Sequence, residues 1–289
     1  MVGEGYVSKP DTVSVLKVRA KCARHCRILF TGFIKISGER SMYAAGFTDV
    51  GSVREQNEDA IFVHNKPIGP FPNLFIVADG MGGHKAGEIA SSMAVEKFSG
   101  FIRDFPAQDF VRPEDYLDLL ISAAQHAGDE INKKAKSDES TSGMGTTLTA
   151  GVIDGDKIFL VHIGDSRAYL VHLLSMSQIT TDHTFVEELL QTGRVTAEEA
   201  KTHPRRHVLT RVLGVPENMQ IDGIVRDIGD ATAVLLCSDG LTNMLDDESM
   251  MKIINGLGYV EHRTKYLVEE ANKKGGLDNI SAIVVDIAR

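Results

Sequence analysis

Four aspartates in this 289-residue chain stand at the ends of apolar runs. Asp79-Gly80 follows LFIVA, Asp165 lies in VHIGDSR, Asp239-Gly240 follows AVLLCS, and Asp278-Asn279 precedes ISAIVV. A fifth acidic station, Glu58-Asp59, opens the run AIFV. Strands that end in carboxylates can bring several acids to one rim of a sheet. Carboxylates crowded together repel unless hard cations sit between them. The pattern therefore points to a divalent-metal site, and the glycines let backbone carbonyls and ligands approach closely.

Each station has an ordinary reading beside the chemical one. Asp79-Gly80-Met81-Gly82-Gly83-His84 follows a buried run and precedes a helical pattern. Its glycine amides suit a phosphate at a helix N-terminus. However, it lacks the Gly-Lys-Ser/Thr ending of a P-loop and the full dinucleotide fingerprint. As a metal station, the Asp79 carboxylate bridges two ions and the Gly80 carbonyl adds a hard oxygen. A plain strand-to-helix turn is the commonest meaning of such a segment alone, and it loses ground because three further acidic stations repeat. Asp239 and Asp278 singly are turn or cap residues; with Asp79 they supply the carboxylates of a two-metal oxygen site. Asp165 reads equally as a secondary metal ligand or as a hairpin tip paired with Arg167. Arg54, four residues before Glu58, balances charge or clamps phosphate in bidentate fashion. His84 either protonates a leaving oxygen or faces solvent in a first helical turn.

The positioning elements follow from periodicity. Strands are predicted over 45–50, 60–64, 74–78, 168–173, 221–226, 233–237 and 280–287. The strongest hairpin signal is Asp154-Gly155 between 146–153 and 157–164. Helical spacing covers 88–105, a segment opened by Pro113, 247–255 and 260–274, the last stopped by Gly275-Gly276. Residues 183–213 differ: two short helical pieces, a capping box from Thr196 to Glu199, then the basic stretch His203-Pro204-Arg205-Arg206-His207. Arg205 and Arg206 are candidates for setting substrate choice. Hairpins with paired helices predict antiparallel sheets covered by helices, an α+β layered fold. Strict βαβ alternation is absent.

Composition bounds the rest. A hydrophobic share of 43% with 25% charged residues is that of a soluble globular protein. The net charge of −9 argues against nucleic acid as a partner. Residues 1–41 carry eight Lys/Arg against three Asp/Glu, leaving 23 basic and 37 acidic residues beyond them. That basic leader reads as a loosely attached tail, a non-native start with Met42 the true one, or an extra strand or helix. Residues 42–289 read as the functional domain. Cys22 and Cys26, with His25 between them, have no second ligand pair, and Cys237 reads as a small core hydrophobe. Three cysteines make no disulfide framework and suit a reducing compartment. No run approaches the ~18 apolar residues of a membrane span. We therefore expect a cytoplasmic protein without a membrane partner.

Seven motifs in order then resemble one family: T-D-V-G-x-x-R-x-x-N-E-D-A (48–60), V-A-D-G-M-G-G-H-x-x-G-E (77–88), G-T-T (145–147), G-D-S-R (164–167), T-D-H-T (181–184), C-S-D-G-L (237–241) and D-N-I-S (278–281). The chain resembles, from about Tyr43 to Ile287, the bacterial branch of the type 2C protein phosphatases, the metal-dependent PPM serine/threonine phosphatases. The resemblance implies a four-layer αββα sandwich: two antiparallel sheets flanked by helices, with Mg2+ or Mn2+ at one end. It implies Asp79 as bridging ligand, Gly80 as carbonyl ligand, and Asp239 and Asp278 as further ligands of the first ion. Glu58 and Asp59 match the pair serving the second ion, and Asp165 matches the residue for a third, weaker one. Arg54 matches the phosphate-binding arginine, and 183–213 a flap beside the site. Many eukaryotic members place a general-acid histidine where this chain has Met81, so His84 is the nearest candidate.

The implied activity is hydrolysis of phosphoserine or phosphothreonine in proteins by metal-activated water, with His84 or water protonating the leaving oxygen. Implied partners are phosphoproteins, a Ser/Thr protein kinase among them, and the default state is a monomer. Rival readings are a degenerate phosphoprotein-binding module, disfavoured by the complete acidic set and Arg54, a phosphatase specific for anti-sigma-antagonist proteins, and a metal-dependent nuclease, disfavoured by the acidic balance.

Overall fold

Side-chain alternation along the strands sets the layers of this protein. The computed structural model describes residues 27–30, 34–35, 41–82, 86–106 and 112–287. In chain order the strands are β1 (Arg27–Phe30), β2 (Ile34–Lys35), β3 (Ser41–Asp49), β4 (Asp59–His64), β5 (Leu74–Met81), β6 (Gly145–Thr146), β7 (Leu148–Asp154), β8 (Lys157–Ile163), β9 (Arg167–Val171), β10 (Met176–Gln178), β11 (Asp222–Asp227), β12 (Ala233–Cys237) and β13 (Ile280–Ile287). The helices are α1 (Ala86–Arg103), α2 (Tyr116–Ser137), α3 (Phe185–Gln191), α4 (Ala197–Thr202), α5 (Asp239–Thr242), α6 (Asp247–Ile254) and α7 (Val260–Lys273). One sheet runs β1-β3-β13-β12-β9-β10, with β2 also on β3. The other runs β11-β8-β7-β5-β4, with β6 on β5. Every pairing is antiparallel, as expected.

Along β5, Leu74, Ile76 and Ala78 pack under α1 and α2, while Phe75 and Val77 enter the space between the sheets. Along β12, Val234 and Leu236 face that same space, while Ala233, Leu235 and Cys237 face α6 and α7. Both sheets are therefore apolar on both faces, which is why their strands read as continuous runs. The result is the four-layer αββα sandwich. Period two carries the same parity to the strand ends. Asp79 continues the inward series of Phe75 and Val77, and Asp59 precedes the inward Ile61 and Val63. Two carboxylates are thus delivered between the sheets at one rim.

Several boundaries shift. The hairpin pairs Asp154 with Lys157, so its loop is Gly155-Asp156, with Gly155 at φ +56°. β5 runs on to Met81 because β6 extends the ladder past Ala78. Asp239 begins a short helix directly after Ser238, and β10 is a further strand that the periodicity missed. The Thr196–Glu199 capping box forms with both reciprocal bonds. From the leader, β1 and β2 pair with β3, so residue 42 falls inside a strand. Cys22, His25 and Cys26 lie outside the described residues. Cys237 is buried, and loss of solvent pushes its thiol up to about 12, consistent with a packing role.

The inter-sheet core is predicted to carry the rim. Phe75 is 1% exposed, and Phe75→Ala should cost about 3–5 kcal/mol in chemical denaturation. A loss well below that range would show that the sheets do not depend on this layer.

Candidate metal centre

Asp59 and Asp79 are register partners on β4 and β5. Like charges directly opposite across strands destabilise a sheet. Burial compounds the effect: loss of solvent, then the neighbouring carboxylates, raises the Asp79 carboxyl well above its ordinary value. The charges acting on it are Asp59, Asp239, Asp165 and Asp278, so four sequence stations converge on it. Asp59 is pushed up to about 7, again chiefly by burial. Asp165 and Asp239 are also raised, with desolvation first and a neighbouring aspartate second.

The rim follows from topology. Asp59 opens β4, Asp79 lies near the end of β5, Asp165 follows β8, Asp239 follows β12 and Asp278 precedes β13. All border one cleft of about 1320 Å³ except Asp59, which is buried. Arg54, Glu58, Gly80, Asp79, Asp165, Asp239 and Asp278 line that cleft. His84 lies outside the described residues. Met81, 41% exposed, takes part in the cleft wall.

Hydrogen bonds fix each station. Asp59 Oδ2 accepts from Ser238 Oγ at 2.8 Å, while Oδ1 is buried with no protein partner. The Asp79 peptide N–H donates to Thr147 Oγ1 at 2.9 Å, and its carbonyl accepts from Thr146 Oγ1 at 2.8 Å. Asn279 ties the 50–58 loop to β13: its Oδ1 accepts the Glu58 N–H at 2.7 Å, and its Nδ2 donates to the Val50 and Gln56 carbonyls, both at 2.9 Å. Arg54 Nη2 donates to Asp278 Oδ2 at 2.8 Å, with both side chains substantially exposed. A Cβ on Gly80 would meet the Gly87 carbonyl at 2.0 Å and the Glu58 carbonyl at 2.7 Å. Only glycine permits that approach.

Asp165 departs from one of its readings. Arg167 does not pair with it but forms a bidentate contact with Asp182, with distances of 2.6 to 3.0 Å. The 183–213 segment walls the cleft through Leu190, Lys201, Arg206 and His207. His207 Nδ1 is 3.9 Å from Asp239 Oδ2. Arg205 instead lies over the Phe185 ring, 3.8 Å from its centroid. Thr147, Ser238, Asn279 and Asp182 fall within the quoted motifs but had no role assigned from the sequence, because their partners are distant along the chain.

Among the described residues no three His, Cys, Asp or Glu stand close enough together to form a ready chelate. The acids share a cleft, while Asp278 is engaged by Arg54 and Asp59 by Ser238. The donor set nonetheless fits hard divalent cations: it is all oxygen, largely buried and mutually repelling, and Asp59 Oδ1 is an orphaned acceptor.

Removing the Asn279 clamp should loosen the Arg54–Glu58 loop. Asn279→Ala is expected to cost about 1–3 kcal/mol and to speed hydrogen exchange of the Glu58 amide. Unchanged exchange there would show that the loop is held by other means.

The sequence model described as Protein phosphatase 2C matches residues 52–273. The chain is 38% identical over 247 residues to the serine/threonine phosphatase stp of Listeria innocua, covering 85% of this chain and 96% of the relative. It is 37% identical to the serine/threonine protein phosphatase PstP of Mycobacterium tuberculosis over 85% of this chain, and spans 45% of that protein. The crystal structure of the serine/threonine phosphatase Stp1 from Staphylococcus aureus superposes with a TM-score of 0.79 at 29% identity, over 92% of this chain and 99% of that one. The catalytic domain of PstP in complex with two manganese ions superposes at 0.71 with 33% identity, over 86% and 99%. A match across most of the chain, laid on a rim of converging carboxylates, places this protein in the protein phosphatase 2C family.

Proposed function

We propose that this protein is a metal-dependent serine/threonine phosphatase that hydrolyses phosphoserine and phosphothreonine in proteins. The observation that carries the reading is the gathering of Asp79, Asp165, Asp239 and Asp278 with Arg54 around one open cleft, with Asp59 buried opposite Asp79. Relatives named as serine/threonine phosphatases support the substrate class, and the manganese-bound neighbour supports the choice of ion.

In this reading Asp79, Gly80, Asp239 and Asp278 hold a first Mn2+ or Mg2+. Glu58 and Asp59 serve a second, and Asp165 a third, weaker ion. Bound ions of this kind acidify water near neutral pH and neutralise charge on a phosphoryl group. The chain's own part is to bind and orient. Arg54 turns from Asp278 to the phosphate oxygens, where its planar fork matches two acceptors. Its guanidinium is held charged by the Asp278 hydrogen bond and by Glu58 and Asp79, so it keeps its proton throughout. Burial raises the Glu58 carboxyl above its ordinary value, and a nearby cation would favour its charged form. His84 remains the proposed proton donor to the departing oxygen. Cys237 takes no part as a nucleophile, since burial keeps it a thiol.

Phosphoproteins are the proposed partners, including a Ser/Thr protein kinase, and the acting unit is a monomer in the cytoplasm. The sparse cysteines support that compartment. Among the described residues no helix is long and apolar enough to cross a membrane. Arg206, which lines the cleft, is the basic flap residue proposed to contact the substrate chain.

A phosphothreonine-peptide assay with Mn2+, and again with a chelator, tests the proposal. Activity should require the ion. Asp79→Asn and Asp239→Asn should each lower kcat by about three orders of magnitude or more, the scale of lost electrostatic stabilisation at a reacting centre, with circular dichroism unchanged. Either purified variant working near the wild-type rate at saturating Mn2+ would contradict the assignment.

A further inference from the structure

The T-D-H-T segment borders the cleft through Asp182 and Thr184, and its His183 grips the turn that carries Asp165. Thr181 presents its carbonyl to His162 Nε2 at 3.0 Å. Asp182 takes the Arg167 guanidinium. Thr184 caps α3 by accepting the Glu187 N–H. His183 does most. Its N–H donates to the Gly164 carbonyl at 2.8 Å, and its Nδ1 lies 3.1 Å from the Gly164 N–H. One residue thus closes both polar groups of Gly164, the neighbour of Asp165.

The tautomer follows from the donors. A peptide N–H only donates, so Nδ1 accepts and is unprotonated. Nε2 therefore carries the proton and donates to Asp222 Oδ2 at 3.0 Å. Arg211 Nη1 stands 3.2 Å from Nε2, donor against donor, and donates a hydrogen bond to Asp222 Oδ1 at 2.8 Å. Asp222, at the start of β11, thus fixes which ring nitrogen is free for Gly164. His183 is 5% exposed, and its carbonyl accepts the Thr210 N–H at 2.9 Å, which joins the two ends of the flap.

The turn needs this hold. Gly164 has φ +106°, and a Cβ there would lie 2.5 Å from Thr147 Cγ2. The turn is pinned on its other side by Ser166, whose Oγ is 2.7 Å from Thr147 Oγ1 and whose carbonyl accepts from Thr149 Oγ1 at 3.1 Å. Asp165 sits between the two anchors, half-buried at the cleft wall.

We propose that His183 is a positioning residue for Asp165: its imidazole holds the Gly164 peptide so that the Asp165 carboxylate is presented to the cleft for a divalent cation. The inference rests on the reading of Asp165 as a cation ligand. Two conservative variants separate the two sides of the ring. In His183→Asn the amide oxygen replaces Nδ1 and keeps the acceptor for Gly164. In His183→Gln the amide nitrogen replaces Nε2 and keeps the donor to Asp222, while Gly164 loses its acceptor.

The test measures hydrogen exchange at the Gly164 amide and calorimetric Mn2+ titration on the full chain, with Asp165→Asn as reference. His183→Gln should speed Gly164 exchange about tenfold, the effect of losing a hydrogen bond of roughly 1.4 kcal/mol. It should also weaken, by a similar factor, the binding component that Asp165→Asn removes. His183→Asn should stay close to the wild type in both. Should the Gln variant fail to fold, Asp222→Asn frees the ring to change tautomer and should give the same two losses. Equal effects of Gln and Asn, or unchanged Gly164 exchange in Gln or in Asp222→Asn, overturn the inference. A component removed by Asp165→Asn but untouched by the clamp variants overturns the positioning role alone. No component removed by Asp165→Asn overturns the ligand reading and the inference with it.

Discussion

Asp59, buried, and Asp79, at the cleft wall, face each other across β4 and β5, with three more aspartates acting on Asp79. This is an unfavourable arrangement for a folded protein on its own. Burial disfavours the Asp59 and Asp79 charges, and the neighbouring aspartates disfavour them further. The fold tolerates it because the inward packing of Phe75 and Val77 carries Asp79 to the same side, and that of Val234 and Leu236 carries Ser238, which holds Asp59. The same core that makes the sandwich therefore concentrates negative charge at its rim. A hard cation bound there would convert that liability into binding free energy beside the open cleft.

The surroundings divide the labour. Thr146 and Thr147 hold the Asp79 peptide, Ser238 holds Asp59, and Asn279 holds the loop that brings Arg54 and Glu58. None of these is a carboxylate or a cation, so they set geometry without adding to the repulsion. His183 plays the same part for Asp165 with a fixed imidazole tautomer. Arg54 differs: it pairs with Asp278 across an exposed contact, a partnership of the kind that exchanges readily.

Much of this was legible in the sequence because it depends on local pattern. Apolar runs of the right length marked β5, β12 and β13, and 3.6-residue spacing marked α1, α2 and α7. Acidic residues at run ends marked Asp79, Asp165, Asp239 and Asp278. What escaped were the partners separated by scores of residues. Nothing near Arg167 says that Asp182 rather than Asp165 takes its guanidinium. Nothing near Asn279 says that it caps a loop more than two hundred residues earlier. The hairpin register moved by one residue because Gly155 supplies its positive φ at the first loop position rather than the second. The short helix α5 escaped because four residues are too few for a periodic signal.

The central claim is that the rim acids exist to hold small hard cations. Anomalous diffraction at the manganese edge, from crystals grown with Mn2+, addresses it directly. The account predicts peaks within coordination distance of Asp79, with Asp239 and Asp278 around one ion and Asp59 and Glu58 near another. Peaks elsewhere on the surface, with the Asp79 carboxylate facing no ion, would contradict it.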